Sequence, residues 1–117
     1  MYNKTTTFIA NTDLSGKMGY GVKMIAEIER GLPKVELAGE DEAIDGVIVE
    51  PAKAGEPVTV MLNGDFALAI LGGAVTVNDK VAINADGAFV TTEDGENAVG
   101  KAYQTGVAGD FIRVLLG

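Results

Sequence analysis

Apolar residues recur at every second position over several short stretches of the chain, which is typical of β-strands with one buried face. In the clearest stretch, Val22, Met24, Ala26 and Ile28 alternate with a mostly polar set. Turn residues separate such stretches by roughly eight to twelve positions, a spacing that predicts a sandwich or a small barrel. The further predicted strands are Lys34–Leu37, Gly46–Glu50, Pro57–Leu62, Phe66–Leu71, Lys80–Ala85, Ala88–Thr92, Ala98–Tyr103 and Phe111–Leu116.

Two pairs of residues that end in glycine predict β-hairpins. Asn63-Gly64 lies between the strands Pro57–Leu62 and Phe66–Leu71, so a two-residue type I′ turn is expected to pair them. Asp86-Gly87 stands in the same position between the next two apolar strands. Residues that tolerate positive φ predict three further reversals, at Asn78-Asp79, Asp94-Gly95 and Gly109-Asp110.

The N-terminal segment differs from the rest of the chain. In Met1–Lys17 the sizeable apolar residues after Tyr2 are only Phe8, Ile9 and Leu14, set among Thr, Asn and Lys. These are too few to predict a core strand, whereas the Thr-rich stretch favours an extended backbone. We therefore expect an extended N-terminal arm over residues 1–15 and a single-domain β-barrel or sandwich of antiparallel hairpins over residues 16–117. Such an arm is suited to adding as a strand to the sheet of a partner.

Composition limits the size and make-up of the core. The chain has 117 residues, which is enough for one domain. Hydrophobic residues make up 47% of it but aromatic residues only 6%, with no Trp. Val, Ala, Ile and Leu must therefore supply most of the buried area.

The charge of the chain excludes several classes of partner. Asp and Glu outnumber Lys and Arg by 17 to 9, giving a net charge of −8 and an isoelectric point near 4.3. Nucleic acids and anionic membrane surfaces should therefore repel it. No apolar run approaches the roughly 20 residues of a membrane-spanning helix. The polar N-terminus lacks the apolar centre of a signal peptide, so we expect synthesis and folding in a cytoplasm.

The absence of Cys and His excludes disulfides, thiolate chemistry and nearly all zinc chemistry. An enzyme built from this chain would depend on carboxylates, Lys, Tyr or Ser. A pair of carboxylates could in principle hydrolyse glycosides, but three Tyr and four Phe provide little for a sugar-binding cleft. No catalytic, cofactor-binding or metal-binding residue is predicted, and no cofactor.

Two groups of acidic residues are candidate cation sites. The loop with Glu40, Asp41, Glu42 and Asp45 offers the oxygen ligands that Ca²⁺ prefers, but it lacks the spacing of an EF-hand loop and is better interpreted as a solvated turn. A second group, spaced seven or eight residues apart, lies at or beside predicted turns, where Asp stabilises the local backbone. Its members are Asp79, Asp86 and Asp94.

Two glycine-containing motifs partly match phosphate-binding sequences. Ser15-Gly16-Lys17 is not preceded by the remainder of a phosphate-binding loop. Gly19-x-Gly21 lacks the third glycine of a dinucleotide fingerprint. Both motifs are interpreted as chance matches.

Several short motifs, most of them in the second half of the chain, form a recognisable set: Ala54–Val60, Gly73–Val77 with Asp79 and Val81, Ala85-Asp86-Gly87, Val99–Ala102 and Ala108–Asp110 followed by Ile112 and Val114–Leu116. Together these motifs resemble the small capsid cement, or decoration, proteins of tailed bacteriophages. In the first half, Asp13–Lys17 and Gly46-Val47 stand at expected places, whereas Glu29–Pro33 departs from the shorter hairpin of that family.

The resemblance implies a compact β-barrel that binds the outside of a mature phage capsid where neighbouring major capsid proteins meet, as a trimer and without catalysis. The chain would then be made in the bacterial cytoplasm and end on the capsid exterior. The arm residues predicted to contact the capsid are Tyr2, Thr5, Thr6, Thr7, Phe8 and Ile9.

Two alternatives stay open at this point. One is a small β-barrel module of the virion that binds a ligand or carbohydrate during adhesion. The other is a carboxylate enzyme, which would need two acids about 5 to 10 Å apart in a cleft.

Overall fold

A computed structural model describes residues 5–92 and 97–117, and within these ranges the chain is all β, without helices. No helix of the described residues is therefore long and apolar enough to cross a membrane. The ten strands are β1 Thr5–Ala10, β2 Gly21–Glu29, β3 Leu32–Leu37, β4 Gly46–Glu50, β5 Pro57–Leu62, β6 Phe66–Ile70, β7 Lys80–Ile83, β8 Phe89–Thr91, β9 Gly100–Ala102 and β10 Phe111–Leu116.

The first five strands close into a barrel in the order β1-β3-β2-β4-β5, with β5 returning to β1. All neighbours are antiparallel except β1 and β3, which are parallel. In β5, alternate residues point inward, as the period of two predicts, with Val58 and Val60 buried. In β2 the predicted buried face is wrong beyond Val22, because Ala26 is exposed and Met24 and Ile28 are 46% and 73% exposed. The buried residues of the barrel core are Phe8, Ala10, Leu14, Val22, Val35, Ile48, Val58 and Val60.

The expectation that the N-terminal segment stays unpaired is wrong for Thr5–Ala10. This stretch is β1, which pairs with β5 from Thr5 opposite Met61 to Ile9 opposite Pro57. Phe8 and Ile9 are buried, as is Leu14 beyond the strand. Few apolar residues suffice because Phe8 and Ala10 supply the part of β1 that packs in the barrel core, whereas Thr5 and Thr7 are exposed. The pairing also satisfies the backbone edges of β3 and β5.

The last five strands form a second sheet in the order β6-β10-β9-β7-β8, with antiparallel neighbours throughout. The buried residues of this sheet pack against residues of the first half of the chain that lie outside the barrel interior, among them Ala38, Ile44 and Val47. The outside of the barrel and the second sheet therefore share this core, which is separate from the barrel interior, and the two sheets form a single domain. The remaining buried members of that core are Ala67, Ala69, Leu71, Val75, Val81, Ile83, Phe89, Val99, Ala102, Ile112, Val114 and Leu116.

The hairpin predicted at Asn63-Gly64 is wrong. Both edges of β5 are occupied, by β1 and β4, so β6 pairs with β10 instead. Positive φ occurs at Gly64 but not at Asn63, which excludes a type I′ turn. The pair forms a corner between the two sheets: the Gly64 N–H donates to the Leu116 carbonyl at 2.8 Å, and the Asn63 amide donates to the Ile44 carbonyl at 2.9 Å.

The hairpin predicted at Asp86-Gly87 is confirmed, since β7 and β8 pair with Ile83 opposite Phe89. Its loop is wider than a two-residue turn, because Asn84 bonds to Ala88 and only Gly87 has positive φ. A two-residue turn with positive φ at both positions occurs instead at Arg30-Gly31, between β2 and β3. That turn lies inside Glu29–Pro33, the stretch that departs from the shorter hairpin expected from the resemblance. Asp94-Gly95 lies outside the described residues.

Phe8→Ala tests the place of β1 in the core. Because Phe8 is buried among barrel residues, the substitution should lower the free energy of unfolding by about 3–5 kcal/mol. Thr7→Ala, on the same strand but exposed, should cost less than about 1 kcal/mol. Urea denaturation of both variants measures the difference, and equal midpoints would show that β1 is a detachable arm.

Candidate functional site

The outer face of β6 and β10 carries large apolar side chains where solvent-facing polar residues are usual. Leu68 is 58% exposed, Phe111 43% and Phe66 39%. On the opposite face of β6, Ala67 and Ala69 point into the core. The alternation of β6 therefore buries its small side chains and exposes its large ones, which marks this face as a candidate interaction surface.

Cations and aromatic rings extend this face toward β9. The Tyr103 ring meets the Phe66 ring edge-on, with centroids 4.9 Å apart and an interplanar angle of 87°. The Arg113 guanidinium lies 5.8 Å from the Phe66 centroid, and the Lys101 ammonium lies 5.9 Å from that of Tyr103. Neither cation forms an ion pair with any described residue. We call the surface formed by Phe66, Leu68, Phe111, Tyr103, Lys101 and Arg113 the β6–β10 face.

A groove of about 460 Å³ lies beside this face, between β4 of the barrel and β6 of the second sheet. Only two of its lining side chains, Asp65 and Arg113, are charged or polar. The Asp65 carboxylate accepts the Phe66 N–H at 2.8 Å. We call this cavity the β6 groove; its other lining residues are Met18, Val47, Ile48, Val49, Met61, Phe66, Ala67 and Leu68.

Gly19 joins the two sheets next to the groove. Its N–H donates to the Ile48 carbonyl at 2.9 Å, and its carbonyl accepts the Ile70 N–H at 3.0 Å. Its φ is +88°, and a Cβ atom there would lie 2.8 Å from the Phe111 ring. Glycine at this position is therefore required by backbone conformation and close packing, which agrees with interpreting Gly19-x-Gly21 as something other than a nucleotide motif.

The predicted contact residues of the N-terminal segment differ in exposure in the structure. Thr5 and Thr7 are exposed, Thr6 is half-buried, Phe8 and Ile9 are buried, and Tyr2 lies outside the described residues. Thr5 stands opposite Met61, which lines the β6 groove, and directly opposite residues share one side of a sheet. Thr5 therefore lies next to a residue that lines the groove.

Sequence reasoning missed the β6–β10 face. The stretch Phe66-Ala67-Leu68-Ala69-Ile70 alternates large and small apolar residues, and the alternation does not tell which set is buried. One feature of the sequence could have indicated the exposed face: Ala67 and Ala69 are small enough to pack closely under the strand, so the larger side chains would face a partner or solvent. The predicted hairpin with Pro57–Leu62 instead paired this strand with β5, which does not occur.

The acidic loop is held by its own hydrogen bonds. Both Glu42 carboxylate oxygens accept from the Lys23 ammonium at 2.8 Å, and one also accepts the Gly39 N–H. Asp45 accepts the Met24 N–H at 2.7 Å. The bonds from Lys23 and Gly39 lower the pKa of Glu42 below its usual range. Glu42 and Asp45 thus fasten the loop to β2.

No group of three or more Asp or Glu side chains in residues 5–92 and 97–117 is arranged to hold a metal ion. Of the second acidic group, Asp79 accepts the Thr76 N–H at 3.0 Å and the Thr91 hydroxyl at 3.1 Å, which stabilises its turn. The Asp86 N–H donates to Asn84 within the β7–β8 loop. Asp94 lies outside the described residues.

The fold and surface described above define a small all-β structural domain with an exposed apolar and cationic face suited to protein contacts. The family model described as phage cement protein matches residues 3–116. The chain therefore belongs to the phage cement protein family, as its motifs predicted, and is a component of the phage virion capsid. Proteins of this family are structural and are not known as enzymes.

A solved structure supports the fold. The head fiber gp8.5 N base of bacteriophage phi29 matches with a TM-score of 0.79 and 19% identity, over 97% of this chain and 92% of that one. Among curated proteins, none matches the chain. At this identity the structural match establishes the all-β architecture alone.

Glu42→Gln tests the anchoring of the acidic loop. A carboxylate whose pKa is lowered in the folded state stabilises the protein above its ordinary pKa, and that contribution is lost as the pH falls through the lowered value. The melting temperature of Glu42→Gln should therefore fall less between pH 7 and pH 2 than that of the natural protein. Glu40→Gln is the control, because Glu40 is exposed in the same loop. Parallel profiles for the natural protein and Glu42→Gln would contradict the assignment.

Proposed function

We propose that this protein binds the outer surface of the phage capsid and cements neighbouring subunits of the major capsid protein. The observation that carries the proposal is the family match over residues 3–116. The β6–β10 face supplies a surface of suitable chemistry, because aromatic residues and Arg are enriched in the centres of protein interfaces.

The mechanism is mass-action linkage. A protein that binds the assembled lattice but not the separate subunits stabilises the lattice by an amount that grows with its free concentration. At a hundred times the dissociation constant, each site contributes about 2.7 kcal/mol. Because a capsid repeats the site many times, modest affinity at each site stabilises the whole shell.

The β6–β10 face and the exposed side of β1 are the proposed contact surfaces. Tyr2, Thr5, Thr6 and Thr7 stay predicted capsid contacts, and Thr5 adjoins the β6 groove through its partner Met61. Phe8 and Ile9 would act indirectly, since they are buried and hold β1 in the barrel. The capsid would then meet a surface that spans both sheets.

A trimer on the capsid exterior, after synthesis in the bacterial cytoplasm, belongs to the same proposal and follows from the family resemblance. Sedimentation equilibrium of the free protein tests whether the trimer precedes capsid binding.

Carbohydrate binding is less well supported by the groove. Sugar recognition needs several directed hydrogen-bonding groups, and the β6 groove offers only Asp65 and Arg113 among its polar side chains. Asp65 already accepts a backbone N–H. The apolar lining favours a protein partner.

Leu68→Ser tests the β6–β10 face as the capsid contact. Burial of a Leu side chain stabilises a complex by about 1.5–3 kcal/mol, so the substitution should weaken binding roughly 10- to 100-fold. Val107→Ser is the matched control, because Val107 is 59% exposed against 58% for Leu68 and is absent from both the face and the groove lining.

The measurement is cosedimentation with capsids of the same phage that lack the cement protein, at several protein concentrations. Both variants should keep the natural melting temperature, because both side chains are exposed. Equal binding by the two variants would exclude the β6–β10 face. Failure of the natural protein itself to bind these capsids would overturn the proposed function.

A further inference from the structure

β6 is an edge strand with an open side. In the sheet order β6-β10-β9-β7-β8, the described residues place only β10 against it. The Ile70 N–H points away from β10, since it donates to the Gly19 carbonyl at 3.0 Å. Because hydrogen-bonding direction alternates along a strand, the N–H and carbonyl of Leu68 face the same open side.

Gly19 occupies one position of the missing neighbour on that side. It bridges Ile48 of β4 and Ile70 of β6 in the way that a strand between them would. Next to this bridge, the space between β4 and Leu68 is the β6 groove. A segment that continued from the level of Gly19 along β6 would meet the outward N–H and carbonyl of Leu68 and an apolar channel. The outward N–H of Phe66, farther along the strand, is already bonded to the Asp65 carboxylate.

The charged residues in and beside the β6 groove indicate which kind of segment would bind there. Arg113 lines the groove and forms no ion pair within the described residues, and Lys101 lies on the same face. The chain as a whole carries a net charge of −8, so an acidic segment would be repelled elsewhere and attracted at this basic area. The Asp65 carboxylate is engaged with the Phe66 N–H and makes no ion pair with Arg113.

We propose that the β6 groove receives an extended segment of the capsid partner, which adds as a strand to the open edge of β6, places apolar side chains in the groove and sets a carboxylate against Arg113. Backbone hydrogen bonds would supply affinity, and the groove and Arg113 would supply register. The inference rests on the proposed function and specifies the chemistry of the partner at the same site.

Leu68→Pro and Leu68→Ala together test strand addition. Both remove the Leu side chain, but only Pro removes the outward N–H donor, and Pro is tolerated on an edge strand where that donor faces away from its neighbour. Leu68→Pro should bind capsids at least tenfold more weakly than Leu68→Ala in cosedimentation, while circular dichroism shows both folded. Equal affinity would overturn strand addition and leave the cementing proposal in place.

Arg113→Glu tests the carboxylate contact and keeps the inference falsifiable if Leu68→Pro does not fold. It should weaken capsid binding by more than tenfold, with Arg113→Lys between it and the natural protein because Lys keeps the charge but not the forked geometry. Lys53→Glu, at an exposed site in another loop, changes the net charge by the same amount. Equal losses for Arg113→Glu and Lys53→Glu would show a general charge effect and overturn the acidic partner.

A second copy of this chain is the alternative occupant of the β6 groove, and the Leu68 variants distinguish it from a capsid segment. The free protein would then self-associate with increasing concentration in sedimentation equilibrium, and Leu68→Pro would abolish this association. If Leu68→Pro also binds capsids as tightly as Leu68→Ala does, the groove pairs protomers and the capsid-segment inference is wrong. The natural protein's failure to bind capsids would instead overturn the underlying function.

Discussion

The closure of the barrel by β1 is the constraint on which the rest of the structure depends. β1 lies between β3 and β5, parallel to one and antiparallel to the other, and leaves no open edge in the five-stranded barrel. Because β5 is thereby flanked on both sides, the strand that follows it in sequence has no place beside it. The chain turns at Asn63-Gly64 and begins a second sheet, and β6 becomes an edge.

The exposed face follows from the same arrangement. β6 packs onto the shared core through Ala67 and Ala69, which are small enough to let the second sheet approach the barrel closely. The large residues Phe66 and Leu68 therefore remain outside, next to Arg113 and the groove. Such a surface fits the proposed cementing role, since apolar area left exposed by folding is still available to stabilise association.

The sequence predicted strands more reliably than their partners. The bounds of Gly46–Glu50, Pro57–Leu62 and Phe111–Leu116 agree with the structure, because period-two alternation is a local property of a strand. The pairing of β5 with β6 was wrong because the Asn-Gly signal describes the turn and not the occupancy of the strand edges. The Thr-rich composition of β1 concealed a core strand, since a barrel requires apolar residues only at its inward positions. The family motifs predicted the class correctly, whereas the candidate binding face depended on which side of β6 is buried, and alternation alone leaves that undetermined.

The position of β10 has a consequence for how the protein folds during synthesis. β10 is the last of the ten described strands, yet it lies inside the second sheet, between β6 and β9. The barrel strands leave the ribosome before it and have one another as partners, whereas β6 must wait for β10 before its neighbouring strand is present. Such non-local pairing slows folding. During that interval the alternating apolar strand Phe66–Ile70 is an unpaired segment of the kind that promotes aggregation. The residues proposed to contact the capsid are therefore also those that the nascent chain most needs to protect from contact with other chains.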